Sequence, residues 1–292
     1  MIASIVKSSR PISWINTAFP FAAAYLLVER QIDVVLVVGT LFFLIPYNLL
    51  MYGVNDVFDW ESDLTNPRKG GIEGDVIRER EQARRVHRGI LMASTVTVVP
   101  PFTWLLFQGS AMAAATLALV VLGVLLYSVP YARFKERPFL DSFTSALHFA
   151  GPLIYALVLT GAELSARGVW PIVASFVAWG MASHAFGAVQ DVRADREGGI
   201  GSIATVLGAR PTVWLALSLY IASAAVLLAL PWPGILAAAL PLAYAVSVAR
   251  FVGVTDTTCE DANRGWRTFL WLNQPVGFLV TMLLIVVWNG WL

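Results

Sequence analysis

Apolar residues in this chain run in blocks and do not alternate. Nine mainly apolar stretches, at 12–28, 33–54, 88–107, 110–129, 140–161, 169–189, 212–230, 234–253 and 268–288, recur from end to end. Each is close to the 17–25 residues that a helix needs to cross a bilayer. The pattern predicts an all-α membrane protein of nine transmembrane helices, forming a single polytopic domain over residues 1–292. "FQGS" and "LPWPG" join two pairs of stretches with no charge, whereas the connections 55–87, 130–139, 190–211 and 254–267 are long or charged. The chemistry is expected on the face those connections share.

Composition and charge sharpen this picture. A hydrophobic content of 58% with 13% charge and a mean hydropathy of +0.69 excludes an ordinary soluble domain. The net charge of +1 gives no reason to expect a nucleic-acid partner. Lys and Arg gather in the amino-terminal tail and after the second, fourth, sixth and eighth stretches. Only Arg30 and Arg167 fall on the other side. The positive-inside rule then places a multi-pass protein in the cell membrane with its amino terminus cytoplasmic and its carboxyl terminus outside. The lone Cys259 has no Cys or His at metal-ligand spacing and is expected to be inert. The first apolar stretch is read as an uncleaved helix, since no polar mature domain comes after it.

Two acidic groups lie at stretch ends. The second stretch runs into "NDVFDWESD", with Asp56, Asp59 and Asp63, and the sixth into "QDVRADRE", with Asp191 and Asp195. At about 100° per residue, Asp56, Asp59 and Asp63 would fall within roughly 60° of one another on a helix. Like charges so placed repel unless a cation sits between them. Hard oxygen donors of this kind suit Mg²⁺, completed by water and phosphate oxygens. Solvated acids at helix ends are the bland alternative. Two such groups, each starting where an ionised side chain is expensive, favour the functional reading. An amide, an aspartate and a valine open both, as Asn55-Asp56-Val57 and Gln190-Asp191-Val192.

Cations surround these acids: Arg68 and Lys69 come after the first group, Arg193 and Arg196 interleave with the second, and Arg133, Lys135 and Arg137 lie beyond Tyr127 on the same side. Carboxylates for Mg²⁺ with guanidinium and ammonium groups nearby is the mixture a metal-bridged diphosphate needs. The positive-inside rule asks for basic residues here too. His148 and His184 fall inside the fifth and sixth stretches. His184 lies seven residues before Asp191 on about the same helix face, where it could serve as a base or orienting group, or as a neutral histidine bonded across helices.

These residues resemble a known family. "NDVFDWESD" is similar to the NDxxDxxxD signature of the UbiA-type intramembrane prenyltransferases, and "DVRADREGGIGSIATVLG" to their second aspartate motif. Arg10-Pro11, Asn16 and "YSVPYARFK" extend the resemblance over nearly the whole chain. It implies a nine-helix bundle around a central cavity, capped on the cytoplasmic side by the loops after the second and sixth helices. Asn55, Asp56, Asp59 and Asp63 would form one Mg²⁺ site and Asp191 with Asp195 the other. Asp56, Asp59 and Asp191, with His184, are the candidate catalytic residues, and Arg68, Lys135, Tyr127, Arg193, Asn16 and Phe149 the candidate substrate contacts.

Within the family the two motifs look most like those of the bacterial lycopene elongases. That implies dimethylallyl diphosphate as donor, lycopene as acceptor and membrane lipid as surroundings. A departing diphosphate needs cations, and an allylic cation needs a dry aromatic wall. Trp14, Phe19, Tyr47, Tyr52, Phe149, Tyr155, Phe186 and Trp271 are candidates for that wall. A prenyltransferase acting on an aromatic quinone precursor shares the same metal motifs. A cation-coupled transporter is the reading from a different class, although its acids would be expected nearer the midplane.

Overall fold

The computed structural model describes residues 1–64 and 76–290, and every element among them is helical. In chain order the helices are α1 (Ile2–Ser8), α2 (Ile15–Glu29), α3 (Val34–Phe58), α4 (Trp60–Asp63), α5 (Arg80–Leu106), α6 (Ala111–Ser128), α7 (Leu140–Leu159), α8 (Trp170–Val189), α9 (Val192–Glu197), α10 (Ile203–Leu207), α11 (Ala209–Leu227), α12 (Gly234–Ala249) and α13 (Asn263–Asn289). Each of the nine apolar stretches lies on a helix. A helix satisfies its own backbone hydrogen bonds, which a chain in hydrocarbon must do. Seven helices among the described residues are long and apolar enough to cross a membrane. An eighth joins them if the pair Ile2–Ser13 and Ile15–Glu29, bent by 55°, counts as one, and α12 is a shorter apolar helix.

Helix boundaries depart from the apolar stretches where water-side residues continue a helix. Arg80 to His87 extend α5 beyond the expected start at 88, because Glu, Gln, Ala and Arg are good helix formers. Pro100 and Pro101 sit inside α5 without ending it. In α3, residues Leu49–Gly53 form one π-helical turn just before the first acidic motif. Such wide turns rotate the downstream residues about the helix axis and are frequent at functional sites.

α7 is the central helix, packed against α2, α6 and α8, while α8 packs against α11 and α11 against α12. Glycines let two of these contacts close. A Cβ on Gly180 of α8 would stand 2.8 Å from the Ala146 Cα of α7, and one on Gly151 of α7 2.8 Å from a Val120 methyl of α6. The described residues of the connections after α3, α6, α8 and α12 then meet at one end of the bundle. Asp59 bonds Lys135, Gly201 abuts the Glu136 carbonyl, and Arg196 bonds Asp256.

Candidate active site

The first motif does not present its three carboxylates on one helical face. The helix is interrupted at Asp59 (φ −102°, ψ 3°), and α4 begins one residue later. Asp56 and Asp63 line a crevice with Trp60 and His87, while Asp59 is gripped by cations of the α6–α7 connection. Separate cations hold Asp56 and Asp59 apart: both Asp56 oxygens accept from Arg10, at 2.7 and 3.1 Å, and Asp59 accepts from Lys135, with Arg133 3.5 Å away. Arg10 and Arg133 both hold left-handed backbones (φ 52° and 40°), a conformation that costs a side-chain-bearing residue about 1–3 kcal/mol and clusters at functional sites.

Lys135 Nζ also donates to Asn55 Oδ1 at 3.0 Å, and Ser128 Oγ donates to the same oxygen at 3.0 Å. Burial pulls the lysine below its ordinary range, with Asp59 opposing. An amide oxygen and a carboxylate thus already converge on one cationic centre. That is the donor chemistry a hard cation such as Mg²⁺ takes, so the residues present fit it. Among the described residues, no three of His, Cys, Asp and Glu stand close enough to share a metal ion as they are arranged here. Arg68 and Lys69 lie outside the described residues.

The second motif starts where α8 ends. Asp191 and Asp195 are half-buried, and Asp195 N–H donates to the Asp191 carbonyl at 2.8 Å, so the two stay one turn apart as expected. Arg193 pairs with Glu260 and is about half exposed, a surface pair of little energetic weight. Arg196 spans from the Thr205 carbonyl to Asp256. Asp256 is held below the usual carboxylate range by the Ala209 N–H and then by Arg196. Gly201 has no room for a Cβ, which would stand 2.7 Å from the Glu136 carbonyl oxygen, so this loop needs glycine to touch the Lys135 loop.

Deeper in the bundle His184 is bonded on both ring nitrogens, to Tyr127 Oη at 3.1 Å and Ser142 Oγ at 3.0 Å, joining α6, α7 and α8. The His148 ring meets the Tyr127 ring edge to face at 4.7 Å. Tyr127 and His184 therefore share one polar web below the Lys135 loop. Ser128, Ser142 and Arg10 belong to the same surroundings, and of these only Arg10, through its Arg-Pro pair, stands out in the sequence.

Asp141, which no motif in the sequence marks, is fully buried at the start of α7. Its carboxylate accepts from Ile203 N–H and Ser142 N–H, both at 2.7 Å. It thereby anchors the second-motif loop to the central helix. Asp141→Ala is expected to leave these two donors unpaired at about 1–3 kcal/mol each, lowering the melting temperature in detergent and opening residues 196–204 to protease. An unchanged melting temperature would contradict that anchoring role.

An apolar slot of about 640 Å³ runs through the other half of the bundle, between α2, α7, α8, α11, α12 and α13. The α13 face Asn273, Val276, Gly277, Val280, Leu284 and Val287 lines it, a stripe on the order of 20 Å long at 1.5 Å per residue. No Asp, Glu, Lys or Arg occurs in its described lining. Asn16, Trp179, Tyr244 and Asn273 lie towards the motif end, and Pro231 and Trp232 at the far end.

Trp179, which carries no distinguishing sequence signal, stacks on Phe176 at 5.0 Å and is ringed by Phe149, Tyr244 and Phe269 within 6.2 Å. Phe149 thus supports the wall from behind, and Phe19 lines the slot directly. Tyr47, Tyr155 and Phe186 are packing residues with no more than 1% exposure, and Trp271 is 66% exposed on the outer surface.

Helices, motifs and slot together describe a membrane-embedded bundle with acids and cations gathered at one end and an apolar slot in its interior. The sequence profile of the UbiA prenyltransferase family matches residues 17–273, and this chain belongs to that family; prenyl transfer is its class of chemistry. It is 52% identical over 290 residues to the C(50) beta-cyclic carotenoids biosynthesis protein LbtBC of Dietzia sp. strain CQ4, covering 99% of this chain and 65% of that protein. The chain therefore spans about two thirds of that relative. It is 49% identical over 286 residues to the lycopene elongase/hydratase of Corynebacterium glutamicum, covering 98% of each. A UbiA homolog from Archaeoglobus fulgidus, solved with GPP and Mg²⁺, has the same fold: TM-score 0.66 at 16% identity, over 94% of this chain and 99% of that one.

Proposed function

We propose that this chain transfers a dimethylallyl group from its diphosphate to lycopene in the synthesis of fifty-carbon carotenoids. The observation that carries this reading is a slot with no charged residue in its described lining, in a bundle that gathers acids and cations at one end. A hydroxybenzoate or naphthoate would bring a carboxylate and need a cation where it docks, and the slot's described lining offers none. The names of the Dietzia and Corynebacterium relatives point the same way. Mg²⁺ would be held by Asn55, Asp56, Asp59 and Asp63 and by Asp191 and Asp195, supplying positive charge to the departing diphosphate.

The chain's own residues then divide the work between the two substrates. Lys135 and Arg68, with Arg193 at the rim, bind diphosphate oxygens together with Tyr127, which is oriented through His184 and Ser142. The allylic C–O bond breaks with its electron pair leaving on diphosphate. A C–C bond forms to the terminal double bond of the acceptor, and the resulting tertiary cation loses a proton or takes up water. Asn16, Phe19 and Trp179 line the slot where the hydrocarbon lies, excluding bulk water from the cation. Nine spans with the motif loops as a cytoplasmic cap, the amino terminus inside and the carboxyl terminus outside complete the reading. A hydrocarbon without a polar handle then enters from the bilayer along the seam of α2 and α13.

The test is to express the chain in a lycopene-accumulating bacterium and weigh the extracted pigments. One or two added five-carbon units are expected. Unchanged lycopene alongside a prenylated quinone would overturn the acceptor assignment in favour of the aromatic-acceptor alternative.

A further inference from the structure

Arg10 sits at the break between α1 and α2, where the chain bends by 55°. Its left-handed backbone, fixed just before Pro11, carries the side chain back towards the first motif. There Nη2 donates to Asp56 Oδ1 at 2.7 Å and Nη1 to Oδ2 at 3.1 Å, with a further bond from Nη1 to the Lys7 carbonyl at 3.3 Å. The guanidinium lies 5.6 Å from the centre of the Tyr52 ring. Both partners are largely shielded, with side-chain exposures of 9% and 13%.

This pairing conflicts with metal binding. Both Asp56 oxygens accept from one guanidinium fork, the geometry in which arginine matches a carboxylate best. A divalent cation that takes Asp56 as a direct ligand shares those oxygens with the fork and repels its positive charge at close range. If it displaces the fork, the shielded guanidinium keeps only the Lys7 carbonyl among the acceptors named above, an arrangement costlier than the pair itself. A diphosphate removes the conflict, because its oxygens offer the same fork a replacement acceptor of higher charge.

We propose that Arg10 is an exchangeable counter-ion of the first motif: it holds Asp56 while the site is unloaded and moves its fork to diphosphate oxygens when metal and diphosphate arrive together. The inference rests on the reading that Asp56 is a metal ligand. Its consequence is positive coupling: metal and diphosphate each raise the affinity for the other, and by linkage the two factors are equal. Free divalent metal alone binds weakly, so the enzyme does not fill with metal in the absence of donor.

The experiment uses the full chain in detergent, with Mn²⁺ read by electron paramagnetic resonance and inorganic pyrophosphate as the anion. In the wild-type protein pyrophosphate is expected to tighten Mn²⁺ binding by about tenfold or more. In Arg10→Gln, Mn²⁺ alone should bind about tenfold tighter, pyrophosphate about tenfold weaker, and the coupling should fall towards one. Arg10→Lys should restore part of the coupling. A purely structural arginine would move both affinities the same way or neither, and either result overturns the proposal. Absence of coupling in the wild type overturns it whether or not the variants fold. If Asp56→Asn leaves Mn²⁺ binding unchanged, the metal-ligand reading of the motif fails first, and the exchange fails with it.

Discussion

Asp59→Ala is expected to abolish prenyl transfer while the chain still inserts in the membrane. Loss of one preorganised electrostatic group at a charge-separating step costs about 10²–10³-fold in turnover, and Asp59 is assigned to hold both the metal and Lys135. The structure adds a complication. Lys135 Nζ bonds Asp59, and the two side chains are only 11% and 13% exposed, so the alanine variant also leaves a shielded ammonium without its carboxylate, with the Asn55 amide oxygen still accepting from it. Some loss of stability results from removing one partner of such a pair. Asp59→Asn separates the two effects: it keeps an acceptor for Lys135 and the side-chain volume but removes the charge a metal needs. It should retain the fold and lose turnover almost as fully. Pyrophosphate release and labelled-product formation, measured beside membrane-fraction yield, decide the matter. Near wild-type turnover of Asp59→Ala at saturating donor would remove this residue from the metal site.

The helices were readable in the sequence because a bilayer leaves the backbone few options, and each of the nine apolar stretches lies on one. Paired aspartate motifs were readable because ionised groups at helix ends are conspicuous in so apolar a chain. What the sequence could not supply was direction. Asp56, Asp59 and Asp63 share a face on an ideal helix, yet the break at Asp59 and the wide turn at Leu49–Gly53 send Asp56 to Arg10 and Asp59 to Lys135. Both partners come from other parts of the chain, and no local periodicity encodes them.

The same limit hid Asp141 and Trp179. Asp141 reads as one acid at a helix start, and its role appears only when the Ile203 N–H, sixty-two residues on, is seen to reach it. Trp179 reads as one of 11 tryptophans in a membrane chain, most easily taken for an interface anchor. Its place at the centre of an aromatic cluster depends on rings from α7, α8, α12 and α13 meeting. Trp271 is the converse case, an aromatic in an apolar stretch that points outward.

Filling the slot should separate the acceptor from the donor. Gly277 lines it on α13, and a Cβ there would meet only the Ile15 Cδ1 of α2, at an ordinary 3.6 Å. Gly277→Ala is therefore expected to be near neutral. Gly277→Phe would push a ring into the slot at the seam of α2 and α13, where a forty-carbon chain is proposed to enter and lie. Conversion of lycopene should fall by at least tenfold, a drop of about 1.4 kcal/mol in transition-state stabilisation or more. Binding of dimethylallyl diphosphate with Mg²⁺ should stay within twofold of wild type, because none of the acids and cations assigned to metal and diphosphate occurs in the slot's described lining. Phe278→Ala is the control: its side chain is 60% exposed on the neighbouring position of the same helix, and its loss should leave both measurements alone. Phe149→Ala, which loosens the support of Trp179, should fall between the two, reducing carotenoid elongation and sparing donor binding. If Gly277→Phe converted lycopene at the wild-type rate, the hydrocarbon would have to lie elsewhere and the slot would lose its assigned role.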